Sequence, residues 1–354
     1  MKTAIITYTH NGMKVASKAL QAMATDTDTV TIYCHDRCQK EYAGKTVPFT
    51  SIGRIMKDIF TSYDRILFIC AAAIAVRSVA PYLKSKVTDP AVLVADEDGR
   101  YIISLLSGHI GGANEWCNEL ATAIRAIPVI TTATDNRGMF AVDIFAKDNN
   151  MRIVNPDMIK EISGRVLNNE PVGITGDGTY RKLLTDTVNK WKGQIELVEK
   201  SSDYVMESGI QIIIYPDEES VFRHTLKLVP MDLAVGIGCK RGKSYESILK
   251  AVKDTFESNN LLIQRIAVAA SIDRKSDEQG IIEFARHMRI PYKTYSPECL
   301  MGAEGEYTMS DFVRKQVGVD NVCERSAYVA SGGGDRLVAK TICDGVTVAV
   351  YKCI

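Results

Sequence analysis

The sequence predicts an α/β protein: two α/β domains with mostly parallel sheets flanked by helices, joined by a smaller middle module. Three observations carry this. Short β-branched apolar runs alternate with helical patterns of about ten to fifteen residues through the first part of the chain, the mark of a sheet covered on both faces. The same rhythm restarts near Pro230. Between them the pattern weakens. The expected division is 1–145, 146–228 and 229–354.

"TAIITY" reads as a strand, "NGMKVASKALQAM" as a helix after Asn11, and "TVTIYC" as a second strand. Next come helical "SIGRIMKDIFTSY", the buried strand "RILFIC", and "AIAVRSVAPYLKSK", a helix with Pro81 as a kink. "AVLVADEDGRYIISLL" breaks the rhythm. Its two strands flank Asp98-Gly99, a hairpin signal, so an antiparallel pair joins the sheet. The middle stretch has strand-like "QIELVE" and "IQIIIY" with glycine turns in "VGITGDGTY", and reads as a small module or an elaborated connector.

From Pro230, "LAVGIG" is a strand, "KSYESILKAVKDTFES" a helix and "RIAVAAS" a strand. Ser276 and Gln279 have capping-box spacing ahead of an apolar helical stripe. Ser310 is an N-cap and Gly318 a stop for "SDFVRKQVG". The chain closes in a hairpin around Asp344-Gly345.

Composition excludes several classes. Hydrophobic content of 46% and charged content of 24% rule out wholesale disorder. Lys plus Arg equals Asp plus Glu at 43 each, so no global field points to nucleic acid or an anionic membrane. No apolar run approaches the roughly 20 residues of a membrane span, and "MKTAIITYTHNG" is too short and polar for a signal segment. Nine cysteines scattered through a chain of this size read as free thiols in a cytoplasmic protein. "CHDRC", Cys34 to Cys38, has no second ligand pair, so no metal site is expected.

Chemistry concentrates in loops after strands. In "LLSGHIGGANEW", Ser107, Gly108, His109, Gly111 and Gly112 precede a helix whose apolar stripe includes Trp116 and Leu120. Asn114 and Glu115 are expected on the polar side of its first turn. Two readings stand here: backbone N–H groups bared for an anion, or a tight turn that needs positive φ. The glycine order is not the dinucleotide fingerprint. "VITTATD" ends the next strand with Thr131, Thr132 and Asp135, and two such polar ends in succession suggest one shared cleft.

"GIGCKRGKS" resembles a phosphate loop but has Ile237 where Walker A needs its first glycine. It remains a strand-to-helix loop with Gly238, Lys240, Arg241 and Lys243, suited to carboxylates or phosphates. "SIDRKSDEQG" sets Asp273, Arg274 and Lys275 just beyond a strand. Glu324 on a helix and Lys340 on a strand read first as surface charges.

Together these stretches resemble the cobalt-precorrin-5A hydrolase family, CbiG, of the anaerobic cobalamin pathway. "VRSVAPYLKSKVTDPAVLVADEDGRYIISLLSGHIGGANEWCNELA" and "VITTATD" are similar to its N-terminal domain. "GIGCKRGKS", "SIDRKSDEQG", "VCERSAYVAS" and "GVTVAVY" are similar to its C-terminal domain, shared with CobE-type proteins. The resemblance covers about residues 50 to 135 and 230 to 351. The family often has a glycine where this chain has Ala73, and an arginine where it has Met231.

The resemblance implies a cobalt-bearing corrinoid substrate with carboxylate arms and a δ-lactone on ring A. Water opens the lactone and a two-carbon unit leaves as acetaldehyde. No protein cofactor is implied, since cobalt arrives with the substrate. His109 would then be the general base, with Glu115 orienting it or a water, and Asp135 as a further catalytic candidate. Arg77, Ser107, Gly108, Gly111, Gly112, Asn114, Thr131, Thr132, Gly238, Lys240, Arg241, Lys243, Arg274, Lys275 and Glu324 would meet substrate. The resemblance leaves room for contact with methyltransferases of the pathway and for a homodimer. The rival reading is a non-catalytic corrinoid carrier, which would keep the basic loops without needing His109, Glu115 or Asp135.

Overall fold

The computed structural model describes residues 1–23, 29–37, 46–85, 88–109, 111–132, 138–199 and 206–354, apart from the Phe312 side chain. The chain forms two compact units, Met1–Ile144 and Phe145–Ile354.

In the first unit the elements run β1 (Lys2–Thr7), α1 (His10–Met23), β2 (Thr29–His35), β3 (Val47–Phe49), α2 (Ile52–Ser62), β4 (Arg65–Ile69) and α3 (Ala72–Val79). They continue with β5 (Ala91–Ala95), β6 (Tyr101–Leu106), α4 (Ala113–Ile124), β7 (Ile127–Val129) and α5 (Val142–Asp148), whose later residues belong to the second unit. The sheet order is β3-β2-β1-β4-β5-β6-β7. Its faces separate cleanly, as side-chain alternation along a buried strand requires. Ile5, Leu67 and Leu93 pack with Met13, Trp116 and Leu120 of α1 and α4. Ile6, Ile66 and Phe68 pack with Met56, Ile59 and Val79 of α2 and α3.

Two local features differ in an instructive way. The Asp98-Gly99 hairpin forms as expected, with Gly99 at φ 68°, and makes β6 antiparallel to β5. The helix expected to continue through Pro81 instead ends at Val79, and Pro81 sits in a single 3-10 turn, Ala80–Tyr82. Proline has no N–H to extend the α-helical ladder, so a change of helix type replaces the kink.

The hairpin also fixes where the histidine loop lies. Because β6 runs against β1, β4 and β5, its carboxyl end emerges beside the start of β5, and the Ser107 hydroxyl donates to the Asp89 carbonyl at 2.9 Å. Open α/β sheets usually bind ligands at the carboxyl edge of their parallel strands. Here the loop occupies the other edge.

The second unit carries two five-stranded sheets. The first uses β8 (Met151–Ile153), α6 (Met158–Leu167), β9 (Val172–Thr175), α7 (Arg181–Lys190), β10 (Ile195–Leu197), β11 (Ser208–Ile212) and β12 (His224–Pro230), in strand order β10-β9-β11-β12-β8. The middle stretch therefore contributes a sheet of its own within the second unit. The second sheet uses β13 (Leu233–Cys239), α8 (Tyr245–Ser258), β14 (Ile266–Ile272), α9 (Gln279–Met288) and β15 (Tyr292–Tyr295). It is completed by α10 (Pro297–Met301), α11 (Asp311–Val317), α12 (Cys323–Ser331), β16 (Arg336–Cys343) and β17 (Val346–Lys352), in order β15-β14-β13-β17-β16. The final hairpin turns through Asp344 (φ 45°) and Gly345 (φ 72°), the pair of positive φ values a two-residue loop demands.

Gly236 lets the start of α12 press onto β13: a Cβ there would lie 1.8 Å from the Cys323 carbonyl oxygen. The two sheets of this unit are joined by polar contacts. Arg265 pairs both nitrogens of its fork with Asp232, at 2.8 and 2.7 Å, and donates to the Ile214 carbonyl. Arg152 donates to the Met288 carbonyl at 2.8 Å and lies beside the Met231 sulfur.

Candidate active site

The loop from β6 to α4 closes on itself. Gly112 N–H donates to the His109 carbonyl, Ala113 N–H to Ser107 and Asn114 N–H to Gly108, at 2.9 to 3.1 Å. These are the N–H groups that the anion reading needed, and they are spent inside the loop. The glycines serve that closure. A Cβ on Gly111 would meet the Ser107 Cβ at 2.4 Å, and one on Gly108 the Asn114 amide at 2.8 Å. Gly112 takes φ 76° and Ser107 itself φ 57°, an uncommon value for a residue with a side chain. The tight-turn reading is the one the geometry favours.

Asn114 is not on the polar side of its helix. It is 7% exposed, accepts from Ser104 Oγ at 2.6 Å and donates to Thr132 Oγ1 at 3.1 Å. A buried amide must find partners, and the polar ends of β6 and β7 supply them. Those two strand ends therefore do meet, through Asn114. Thr131 is exposed beside Thr132. Asp135 lies outside the described residues.

His109 Nδ1 lies 2.8 Å from Oδ2 of Asp143, with only 14% of the imidazole and 7% of the carboxylate side chain exposed. Asp143 Oδ1 in turn accepts the Ile144 N–H at 3.0 Å. Burial opposes ionisation of this acid. The hydrogen bond and charge of His109, with backbone N–H groups, outweigh it and hold the carboxyl below its ordinary range. With Asp143 ionised, Nδ1 carries the ring proton and the lone pair of the neutral imidazole belongs to Nε2. The carboxylate on the Nδ1 side is thus Asp143, not Glu115, which is exposed in the first turn of α4. Sequence reading missed Asp143 because a single acid in "AVDIF" carries no motif. Its one local signal is an acid at the start of an apolar helix. Arg77 is exposed in the last turn of α3, and no hydrogen bond or ion pair joins it to this loop among the described residues.

In the second unit "GIGCKRGKS" and "SIDRKSDEQG" come together. Arg241 pairs with Asp277 at 2.9 Å and donates to the Arg274 carbonyl, Lys243 pairs with Asp344 at 2.8 Å, and Lys275 with Glu278 at 2.8 Å. Arg274 donates to the Gln316 carbonyl at the end of α11. Lys240 is exposed, and Gly238 accepts from Thr347 Oγ1. An open cleft of about 400 Å³ is lined by Arg241, Lys243, Ser244, Glu278 and Glu283. The loops are basic in sequence but largely neutralised by their own carboxylates. The hydrogen bond from Arg241 holds the Asp277 carboxyl below its ordinary range.

The Ser276 capping box does not form. Residues 273–275 make a 3-10 turn, and α9 begins at Gln279 with Glu278 as its N-cap residue. Glu278 accepts instead from Gly242 N–H at 2.7 Å and from Lys275. The predicted Ser310 cap and Gly318 stop are both present, with Ser310 Oγ accepting from Val313 N–H and Gly318 at φ 83°.

Glu324 is neither a surface charge nor open to substrate. It is 0% exposed. One oxygen accepts from Thr308 Oγ1 and Lys340 N–H, the other from Thr308 N–H and the Asn321 amide, at 2.6 to 3.1 Å. Four donors fill the roughly four lone-pair sites of a carboxylate. Its work is to hold the irregular segment before α11 against α12 and β16.

Cys34 is buried in the first core, and Cys38 lies outside the described residues. Among the described residues no group of His, Cys, Asp and Glu is placed to hold a metal ion, and no helix is long and apolar enough to cross a membrane.

Comparison with known proteins gives a consistent result. Residues 54–135 match the family described as cobalamin synthesis G N-terminal, 140–194 the cobalamin biosynthesis central region, and 233–351 the cobalamin synthesis G C-terminus. The chain is 33% identical over 309 residues to the cobalt-precorrin-5A hydrolase of Salmonella typhimurium, covering 86% of each. It is 30% identical over 306 residues to that of Priestia megaterium, covering 85% of this chain and 81% of the relative. A probable cobalt-precorrin-5A hydrolase of Methanocaldococcus jannaschii is 27% identical over 267 residues, 75% of each chain.

Proposed function

The chain belongs to the cobalt-precorrin-5A hydrolase family, and from that membership we propose a mechanism in which His109 activates the attacking water. The protein is a hydrolase of cobalamin biosynthesis whose substrate is cobalt-precorrin-5A. Water adds to the ring A δ-lactone carbonyl, the lactone opens, and the two-carbon unit at the bridging carbon leaves as acetaldehyde. The electron pair of the broken carbon–carbon bond returns to the macrocycle and is protonated there. The product is cobalt-precorrin-5B. Cobalt is part of the substrate throughout.

One observation carries the role of His109: its imidazole is oriented through Nδ1 by a buried carboxylate, 2.8 Å away, at a loop that also gathers Ser107 and Thr132. That arrangement directs Nε2 to accept a proton from water. Glu115 and Asp135 are the candidates for the acid that protonates the macrocycle. Mixing purified protein with cobalt-precorrin-5A and measuring free acetaldehyde tests the reaction. Stoichiometric corrinoid binding without acetaldehyde would favour the carrier reading.

The carboxylate arms of the corrinoid are proposed to exchange for the acidic partners now on Arg241 and Lys243, with Lys240, Arg274, Lys275 and Arg77 as further cationic contacts. Removing Lys240 and Arg241 together (both to Ala) should weaken corrinoid binding roughly tenfold, about the scale of one lost charge-assisted contact. Equilibrium titration followed by the corrinoid absorbance reads this. Unchanged affinity, or tight ATP binding lost in Lys243→Ala, would overturn it.

A further inference from the structure

We infer that Asp143 is a positioning residue for the reaction: it sets the tautomer of His109 and stabilises the imidazolium formed as water is deprotonated. This rests on the reading of His109 as the base.

Both halves of the pair are held rigidly from outside it. On the Asp143 side, Oδ1 is fixed by the Ile144 N–H at 3.0 Å, and Phe140 and Val142, which precede it in the chain, are each 2% exposed or less. On the His109 side, three backbone hydrogen bonds lock the loop from Ser107 to Asn114. Oδ2 therefore meets Nδ1 at 2.8 Å without freedom to drift. A carboxylate fixed before the reaction need not reorganise when charge develops on the ring, which is where such groups contribute most. A buried acid that served the fold alone would need only hydrogen-bond donors. This one is turned to the single ring whose protonation state changes in the proposed reaction.

Asp143→Asn tests the inference, because the amide keeps the shape but removes the charge and can donate to Nδ1, favouring the other tautomer. Single-turnover acetaldehyde release should fall by roughly 10² to 10⁴, with corrinoid KM changed by no more than about threefold. Asp143→Glu should recover part of the rate. The acid limb of the pH–rate profile should move to lower pH in Asp143→Asn, because the imidazolium loses its carboxylate. Glu119, exposed on α4, has no part in the proposed reaction, and Glu119→Gln should leave that limb in place. Combined with His109→Ala, Asp143→Asn should cost nothing further, as expected of groups acting as one unit.

Wild-type turnover in folded Asp143→Asn, or additive loss in the double variant, overturns the inference. If Asp143→Asn does not fold by thermal unfolding, Asp143→Ser, which also removes the charge, carries the same test. A wild-type protein that releases no acetaldehyde instead overturns the hydrolytic reading beneath it, so the two failures are distinct.

Discussion

Replacing His109 with alanine is expected to slow acetaldehyde release by roughly 10² to 10⁴, the usual contribution of a positioned acid or base. Corrinoid affinity should hardly change, since the ring contributes a proton acceptor rather than a binding surface. The alanine variant also leaves the buried Asp143 carboxylate without its imidazole partner, so some loss of stability accompanies it. His109→Asn separates the two effects. Its amide can supply an N–H near the position of Nδ1 and so satisfy Asp143, yet it offers no base. The expectation is therefore a stable protein that binds corrinoid and does not turn it over. Near-wild-type rates in both variants would remove His109 from catalysis and move the search to Glu115 and Asp135.

The second large effect is on stability. Glu324→Ala removes the acceptor for Thr308 N–H, Thr308 Oγ1, the Asn321 amide and Lys340 N–H together. Leaving the buried Asn321 amide and three part-buried donors without their acceptor should destabilise the second unit by about 1–3 kcal/mol, the cost of a buried polar group left unsatisfied. Glu324→Gln should be nearly as harmful. Its amide nitrogen replaces an acceptor with a donor that faces other donors. Urea unfolding, followed by the transition of residues 145–354, measures the change. A midpoint within error of wild type would show that the network holds nothing in place, whereas an altered corrinoid KM in the folded variant would return Glu324 to the substrate site.

Local features were legible in the sequence. The Asp-Gly hairpins, the Ser310 cap and the Gly318 stop follow from the backbone preferences of the residues themselves. Strand-and-helix alternation gave the layers, because apolar periodicity reports which face is covered. What was hidden depends on partners distant in the chain. Asp143 reaches His109 across 34 positions, and Arg241 reaches Asp277 across 36. Asn114 has an ordinary helix-surface identity until the end of β7 arrives to bond its amide. Glu324 reads as a surface charge because only three-dimensional closure reveals four donors around it. The Ser276 box failed for a nearer reason: a 3-10 turn at residues 273–275 delays α9 and leaves Ser276 outside it.

Ser107 has a consequence for how variation at this loop should be interpreted. Its backbone is left-handed at φ 57°, and its hydroxyl is a donor to the Asp89 carbonyl. In a saturation library, position 107 would sort amino acids by what their backbones tolerate, with glycine, asparagine and aspartate recovered and valine and isoleucine depleted. The serine at this position reflects a steric filter with one tether. It is no sign of a nucleophile, even two residues before the histidine proposed as the base.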